Sequence, residues 1–258
     1  MADPKCVLAF MAHPDDAEFN CAGTLARLHT EHNWRVAIAT MTPGDCGSAD
    51  RRPEDIIRVR LEEARAAALV LDGDFHCADL RDLFIFYDPD ALRRTVAIIR
   101  RVRPDLVITH SPQDYMLDHE VTSTLVRAAT FGAPMPNFAL GETWPADRIP
   151  AVPHLYYADA IEGHDIFGRL VEPSLLVDVT AAMETKERML VCHASQRDWL
   201  RAHHKMDEFV ESMRRWMAMR GRQAGVPYAE AFRQHLGHGY PADDLLGDFF
   251  GRTLPIPF

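Results

Sequence analysis

Residues Cys6–Phe19 read CVLAFMAHPDDAEF: an unbroken apolar run that ends by packing an imidazole and two adjacent carboxylates around a proline. Cys6–Ala12 predicts a buried strand, and Ala17–Glu31 predicts a helix. Between them lies His13-Pro14-Asp15-Asp16. Working outward, Arg35–Met41 predicts a second strand. Pro53 with Glu54 and Asp55 opens a helix that runs to Leu71 and stops at Gly73. Phe75–Leu80 reads as a third strand, Pro89–Val102 as a helix closed by Pro104, and Leu106–His110 as a fourth strand. A helix from about His119 to Phe131 follows. Strand and helix alternating at this spacing imply parallel βαβ units and a doubly wound sheet.

Past this core the pattern loosens. Gly132–Pro153 carries five prolines and no clear period. His154–Ile161 and Leu175–Val179 add further strands, and the remainder reads as mostly helical. The stretch from Gln196 to Arg222 repeats Trp199, Met206, Phe209, Met213, Trp216 and Met217 at helical spacing, as expected of a helix packed on the body or on another subunit. With no repeat, low-complexity tract or linker, residues 1–258 read as a single domain. Its core βα units span 1–131, and 132–258 hold the excursion, the further strands and the C-terminal helices. The fold class is α/β: a Rossmann-like, mostly parallel sheet flanked by helices, with a helical C-terminal extension.

Composition narrows the class of partner. The chain has 258 residues, 47% hydrophobic and 26% charged, with a formal net charge of −10. Such an acidic balance disfavours nucleic acid and anionic membranes. No apolar stretch approaches the roughly 18 residues of a membrane span, and no basic region followed by an apolar run marks a signal peptide. The five cysteines, Cys6, Cys21, Cys46, Cys77 and Cys192, have no CxxC spacing and read as reduced residues of a cytoplasmic protein.

Ligands of open α/β sheets bind beyond the carboxyl ends of the strands, and polar groups gather there. His13, Asp15 and Asp16 follow the first strand. Gly44-Asp45-Cys46-Gly47 follows the second, Asp79 and Asp82 the third, and His110 through His119 the fourth. Histidine and carboxylate are the ligands a hydrolytic zinc ion takes, with one position left for water. His13 and Asp16 lie three apart on a turn stiffened by Pro14, and His119 is placed to complete the set. Asp15 is then the spare carboxylate, suited to be a general base. Read locally, the same four residues also suit a turn with Asp16 capping the next helix.

Ala12-His13-Pro14-Asp15-Asp16, with Asp114-Tyr115-Met116-Leu117-Asp118-His119 further on, resembles the PIG-L/LmbE family of zinc-dependent N-deacetylases. The resemblance spans most of the chain. Gly44-Asp45-Cys46-Gly47 is similar to the family's Gly-Glu-x-Gly loop, and Arg60-Leu61-Glu62-Glu63 to its Arg-x-x-Glu helix. Lys186 with His193-Ala194-Ser195-Gln196 is similar to its Lys…His-x-Ser-Gln segment, and Tyr228-Ala229-Glu230-Ala231-Phe232 to its Tyr-Ala-Glu-x-Phe motif.

The resemblance implies an LmbE-like fold and a zinc enzyme that removes an N-acetyl group from an amino sugar or glycoside. His13, Asp16 and His119 would be the metal ligands, Asp15 the base, and Arg60 and Asp82 contacts to the sugar. His193 would be structural or support the site from behind. Such ligands also accept Fe²⁺, Co²⁺ or Mn²⁺. The expected partner is a small N-acylated sugar, and the resemblance allows homo-oligomers, trimeric or hexameric.

One departure stands out. The family's second metal motif reads His-Pro-Asp-His, and its first histidine steadies the oxyanion; here that position is Met116, followed by Leu117. A thioether donates no hydrogen bond, and losing one oxyanion donor costs about 2.7–4 kcal/mol. His110, Tyr115, His235 and His238 are the candidate replacements, and Asp118 is a candidate support for the ligands. Three functions follow: N-deacetylase, amidase on a larger N-acyl conjugate, or a metal- and sugar-binding homologue with impaired catalysis. A nucleotide-binding Rossmann domain is disfavoured, because the first strand ends in His-Pro-Asp-Asp rather than a GxGxxG turn.

Overall fold

In the computed structural model, which describes residues 4–138, 140–141, 147–197 and 208–251, Cys6–Met11 forms β1, buried along its whole length. Val7, Ala9 and Met11 enter one apolar core, while Cys6, Leu8 and Phe10 enter a second on the opposite face. A strand covered on both faces needs a continuous apolar run rather than alternation, as this one has.

The chain continues through α1 (Asp16–Asn20), α2 (Ala22–His32), β2 (Arg35–Thr40), α3 (Pro53–Leu69), β3 (Asp74–Cys77), α4 (Pro89–Val102), β4 (Leu106–Thr109) and α5 (Leu117–Gly132). β5 (His154–Ala158), β6 (Leu175–Asp178), α6 (Met183–Leu190), α7 (Glu208–Ala224), β7 (Ala229–Gln234) and α8 (Leu245–Phe250) follow. The seven strands stand in the order β3-β2-β1-β4-β5-β7-β6. The first five run parallel, with Leu8 beside Ala37 and Val7 beside Leu106. β7 runs antiparallel to both of its neighbours. Strand order reverses between β1 and β4, the switch point at which open sheets form their crevice. His13 and His110 emerge on its two sides.

The α/β class and the mostly parallel sheet hold, and four local expectations are corrected. The helix expected over Ala17–Glu31 is two helices broken at Cys21 (φ −145°). The break frees the first N–H groups of α2, and Gly23 N and Thr24 N donate to the Glu230 carboxylate at 2.8 and 2.7 Å. A Cβ on Gly23 would sit 2.7 Å from Val179 and 2.9 Å from Glu230 Oε1, so this close approach requires glycine. The third strand ends at Cys77 rather than Leu80, because β3 is an edge strand and the backbone turns away at Asp79 (φ 56°). The strand expected over His154–Ile161 likewise ends at Ala158, before a short 3-10 turn at Ile161–Gly163.

The fourth correction concerns Ala229–Gln234, placed in the mostly helical remainder but folded as β7. Alanine and glutamate favour helix, yet pairing on both sides overrides a weak local preference. Glu230 is fully buried there because Lys186, equally buried, meets it at 2.6 Å. Of the helix expected over Gln196–Arg222, Trp199 and Met206 lie outside the described residues. α7 carries the rest, with Phe209, Met213, Trp216 and Met217 packed into the core around β1. Trp216 Nε1 and the Arg220 guanidinium both donate to Asp159, which fastens α7 to the end of β5. All five cysteines are free. Among the described residues no helix is long and apolar enough to cross a membrane.

Candidate metal centre

The turn after β1 closes on itself. His13 N donates to Asp16 Oδ2 at 2.7 Å, and Asp16 N donates to His13 O at 3.3 Å. Asp16 is the first residue of α1, and its carboxylate turns back toward the imidazoles instead of capping the helix. The cap position falls to Asp15, whose backbone sits at φ 102°, ψ −23° and makes no side-chain cap. A non-glycine residue held there costs on the order of 1–3 kcal/mol, a strain found at functional sites. The Asp15 carboxylate is left facing Arg60 Nη2 at 3.6 Å.

His13, Asp16 and His119 each offer a ligand atom, all within 4.8 Å of one another. His13 Nδ1 lies 3.3 Å from Asp16 Oδ2, and His119 Nε2 lies 3.6 Å from Asp16 Oδ1. The far nitrogen of each ring is held by a carboxylate: His13 Nε2 by Asp118 at 3.1 Å, and His119 Nδ1 by Asp114 at 3.0 Å. These carboxylates are themselves oriented, Asp118 by Leu83 N (2.8 Å) and Asp114 by Ile161 N (3.2 Å). Metal-binding histidines are held in this way, which fixes their tautomer and aim. The residues therefore fit a divalent cation.

The charges fit as well. Burial pulls the His13 pKa down, but the hydrogen bonds it donates to Asp118 and Asp16 outweigh that and raise it to about 10. His119 is likewise raised, burial being outweighed by the charge of Asp16 and the hydrogen bond donated to Asp114. Asp16 is held well below the usual carboxylate range, because His119 and His110 outweigh its burial. Burial pushes Asp15 up to about 6, although the Arg60 charge opposes it. An anion thus faces two cationic rings, an arrangement in which a metal ion replaces protons.

Two other donor sets are less suited. His110, Asp114 and His119 also converge, but His110 is fully buried and stacked 3.9 Å behind His119. Its Nε2 meets Ala12 N–H and Asp16, and burial holds its pKa below the ordinary value. In the Asp45, Cys46 and Asp82 set, the Asp82 carboxylate accepts from Thr42 and Cys46 N, while Asp45 accepts from Asp82 N and meets Arg81. Those carboxylates are already occupied in joining two loops.

A cavity of about 390 Å³ opens on the centre. Asp15, Asp16 and His119 line it, together with Trp216 and Arg215 of α7. Arg60 and Asp82, expected to contact sugar, are buried behind the cavity lining. Arg60 donates to Pro14 O (2.6 Å), and Gly44 and Gly47 pack so closely on its guanidinium that any Cβ there would collide with it. Of the four candidate replacements for the missing histidine, Tyr115 lines the cavity, edge-on to His119 at 5.4 Å. His238 is an exposed loop residue and His235 bonds Tyr157. Met116 is the N-cap of α5, its carbonyl accepting from His119 N.

The remaining motif residues tie the site together. Ser195 N and Oγ both meet Glu63 at 2.7 Å, and Gln196 Nε2 donates to Gly47 O at 2.9 Å. Gln196 also lines the cavity. His193 is fully buried, 3.4 Å from Glu18. Asp114 was legible as part of its motif, but its hold on His119 was not; a carboxylate five residues before a ligand histidine was the available signal. Replacing Asp114 with Ala is expected to weaken zinc binding about 10–100-fold, measured by competition with a fluorescent chelator, with the circular dichroism spectrum unchanged.

Residues 8–130 match the family profile of PIG-L, GlcNAc-PI de-N-acetylase. The chain is 28% identical to the 4-oxalmesaconate hydratase of Pseudomonas putida over 200 residues, 74% of each chain. It is also 28% identical to the diacetylchitobiose deacetylase of Thermococcus kodakarensis over 239 residues, covering 90% of this chain and 83% of that one. The solved N,N'-diacetylchitobiose deacetylase of Pyrococcus horikoshii superposes with a TM-score of 0.75 at 24% identity, covering 94% of this chain and 89% of that one. The resemblance to the PIG-L/LmbE group holds in sequence and in fold.

Proposed function

From a chain that carries the PIG-L match, we propose a zinc-dependent hydrolase that removes an N-acetyl group from an amino sugar or glycoside. The observation that carries this reading is the convergence of His13, Asp16 and His119 at the cavity, with Asp15 beside them. The ion held by these three residues, when bound, supplies Lewis acidity that polarises an acyl oxygen and acidifies a water molecule. Asp15 accepts the proton of the attacking water and returns it to the departing amine. Arg60 and the strained turn keep the Asp15 carboxylate directed at the cavity. Tyr115 is the candidate whose hydroxyl can donate to the developing oxyanion, since it lines the cavity and His110 and His238 do not. A volume of about 390 Å³ lies within the range of small-molecule sites, about 300–1,000 Å³.

A second reading has specific support: hydration of an unsaturated carboxylic acid by the same activated water. The 28% identity to a hydratase favours it, and so does Met116, which leaves the acyl-transfer oxyanion without its usual donor. The discriminating experiment loads the protein with zinc and screens N-acetylglucosamine, N,N'-diacetylchitobiose and 4-oxalmesaconate. Acetate release from either sugar, abolished by a chelator, is the expected result. Loss of 4-oxalmesaconate absorbance with no acetate released from either sugar would replace hydrolysis by hydration.

A further inference from the structure

The arginines of α7 differ in one respect. Arg214 is held by Glu187 through Nε and Nη2 at 2.6 and 2.7 Å, and meets Glu211 as well. Arg220 is held by Asp159 at 2.6 and 2.8 Å and donates to Val171 O. Arg215 and Arg222 are exposed and make no ion pair or hydrogen bond with any described residue, and of these two Arg215 lines the cavity over the metal centre. Its helix is held in place, because Trp216 and Arg220 are fastened to Asp159. The other titratable groups lining the cavity are Asp15, Asp16 and Glu162, with His119 beside Asp16 at the metal centre. In a chain of net charge −10, Arg215 is the lining cation that stands apart from the metal centre.

We propose that Arg215 is the specificity-determining residue of the cavity, binding a carboxylate or phosphate group that the substrate carries away from its reacting bond. The inference rests on the reading of this cavity as the substrate site, and holds whether the chemistry there is hydrolysis or hydration. A guanidinium offers paired N–H donors in a plane that matches both oxyanions. Arg215 shares the cavity with Asp16 and His119 and with apolar surface from Phe19, Phe209 and Met213, so a ligand that fills it meets the metal centre, apolar contacts and one separate cation. A neutral sugar offers Arg215 hydroxyl acceptors but no charge to pair with the guanidinium.

The test uses ligands that cannot turn over by hydrolysis, so binding is read apart from activity. Glucosamine, glucosamine 6-phosphate, muramic acid and succinate are titrated by calorimetry into zinc-loaded wild-type protein and into Arg215→Gln. The expected result is that at least one anionic probe binds wild type tenfold or more tighter than glucosamine. Arg215→Gln abolishes that preference and leaves glucosamine binding unchanged. The phosphate and carboxylate arms report which oxyanion the site takes. Anionic probes that bind both proteins alike, through the metal or elsewhere, overturn the proposal, as does wild type showing no preference for them. Failure of acetate release would reject hydrolysis and leave this binding result standing. Arg215→Lys, which keeps the charge and loses the fork, is expected to recover part of the preference.

Discussion

Asp15→Asn lowers kcat by about 10²–10⁴-fold, the usual worth of a positioned general base, while the protein keeps its bound metal. Three features make this the sharpest expectation. The Asp15 carboxylate is outside the His13, Asp16 and His119 donor set, so its loss removes no ligand. Its backbone at φ 102° lies on the positive side, which asparagine tolerates better than most residues, so the variant folds. The amide keeps the shape of the acid and can face Arg60 through its oxygen, but it cannot take a proton. Elemental analysis beside the kinetics separates the two effects, and wild-type activity in the variant would remove Asp15 from the mechanism.

The pH profile offers a second readout of the same residue. Burial raises the Asp15 pKa to about 6, with Arg60 opposing, and a bound dication draws it lower. The base works only when charged. Activity therefore climbs with pH through a limb centred at or below about 6, and that limb disappears in Asp15→Asn.

Glu230→Ala is expected to destabilise the fold by about 3–5 kcal/mol, the cost of leaving a buried partner charge uncompensated. Glu230 and Lys186 are both fully buried and 2.6 Å apart. Deleting the carboxylate also orphans Gly23 N and Thr24 N at the start of α2. Among the described residues Lys186 then keeps only Phe19 O, at 2.8 Å. For a chain of this size the loss corresponds to a melting temperature lower by roughly 6–20 °C. It is measured in chelator, so that metal binding adds no stability. Glu230→Ala combined with Lys186→Met should be less destabilised than Glu230→Ala alone, because no buried charge then lacks a partner. A melting temperature unchanged within 2 °C (roughly 1 kcal/mol or less) would show the pair to be dispensable.

Much of the candidate centre was legible along the chain because its signals are local. An apolar run that must be buried on both faces, a proline-stiffened turn and two ligand types three residues apart are all contained within Cys6–Asp16. The helix over Pro89–Val102 was equally legible. Pro89 suits a first helical position, and Asp88 accepts from Asp90 N and Ala91 N.

What the chain order could not convey depends on contacts between distant segments. β7 forms from a helix-favouring stretch because two strands flank it, and Glu230 is buried there because Lys186 reaches it. Asp118 steadies His13 from 105 residues away. Arg60 and Asp82, expected at the substrate, turn inward to brace loops. Tyr115 and Arg215 look into the cavity while His110 is sealed behind His119. By itself the sequence determined the α/β class, the strand whose end carries the candidate centre, and the residue types gathered there, since backbone preference and side-chain periodicity act over a few neighbours. Only the tertiary structure decided which of those residues face the cavity, which hold the others in place and which charges are left unpaired. Burial, dielectric and hydrogen-bond partners are properties of the packed surroundings and have no value until distant elements meet.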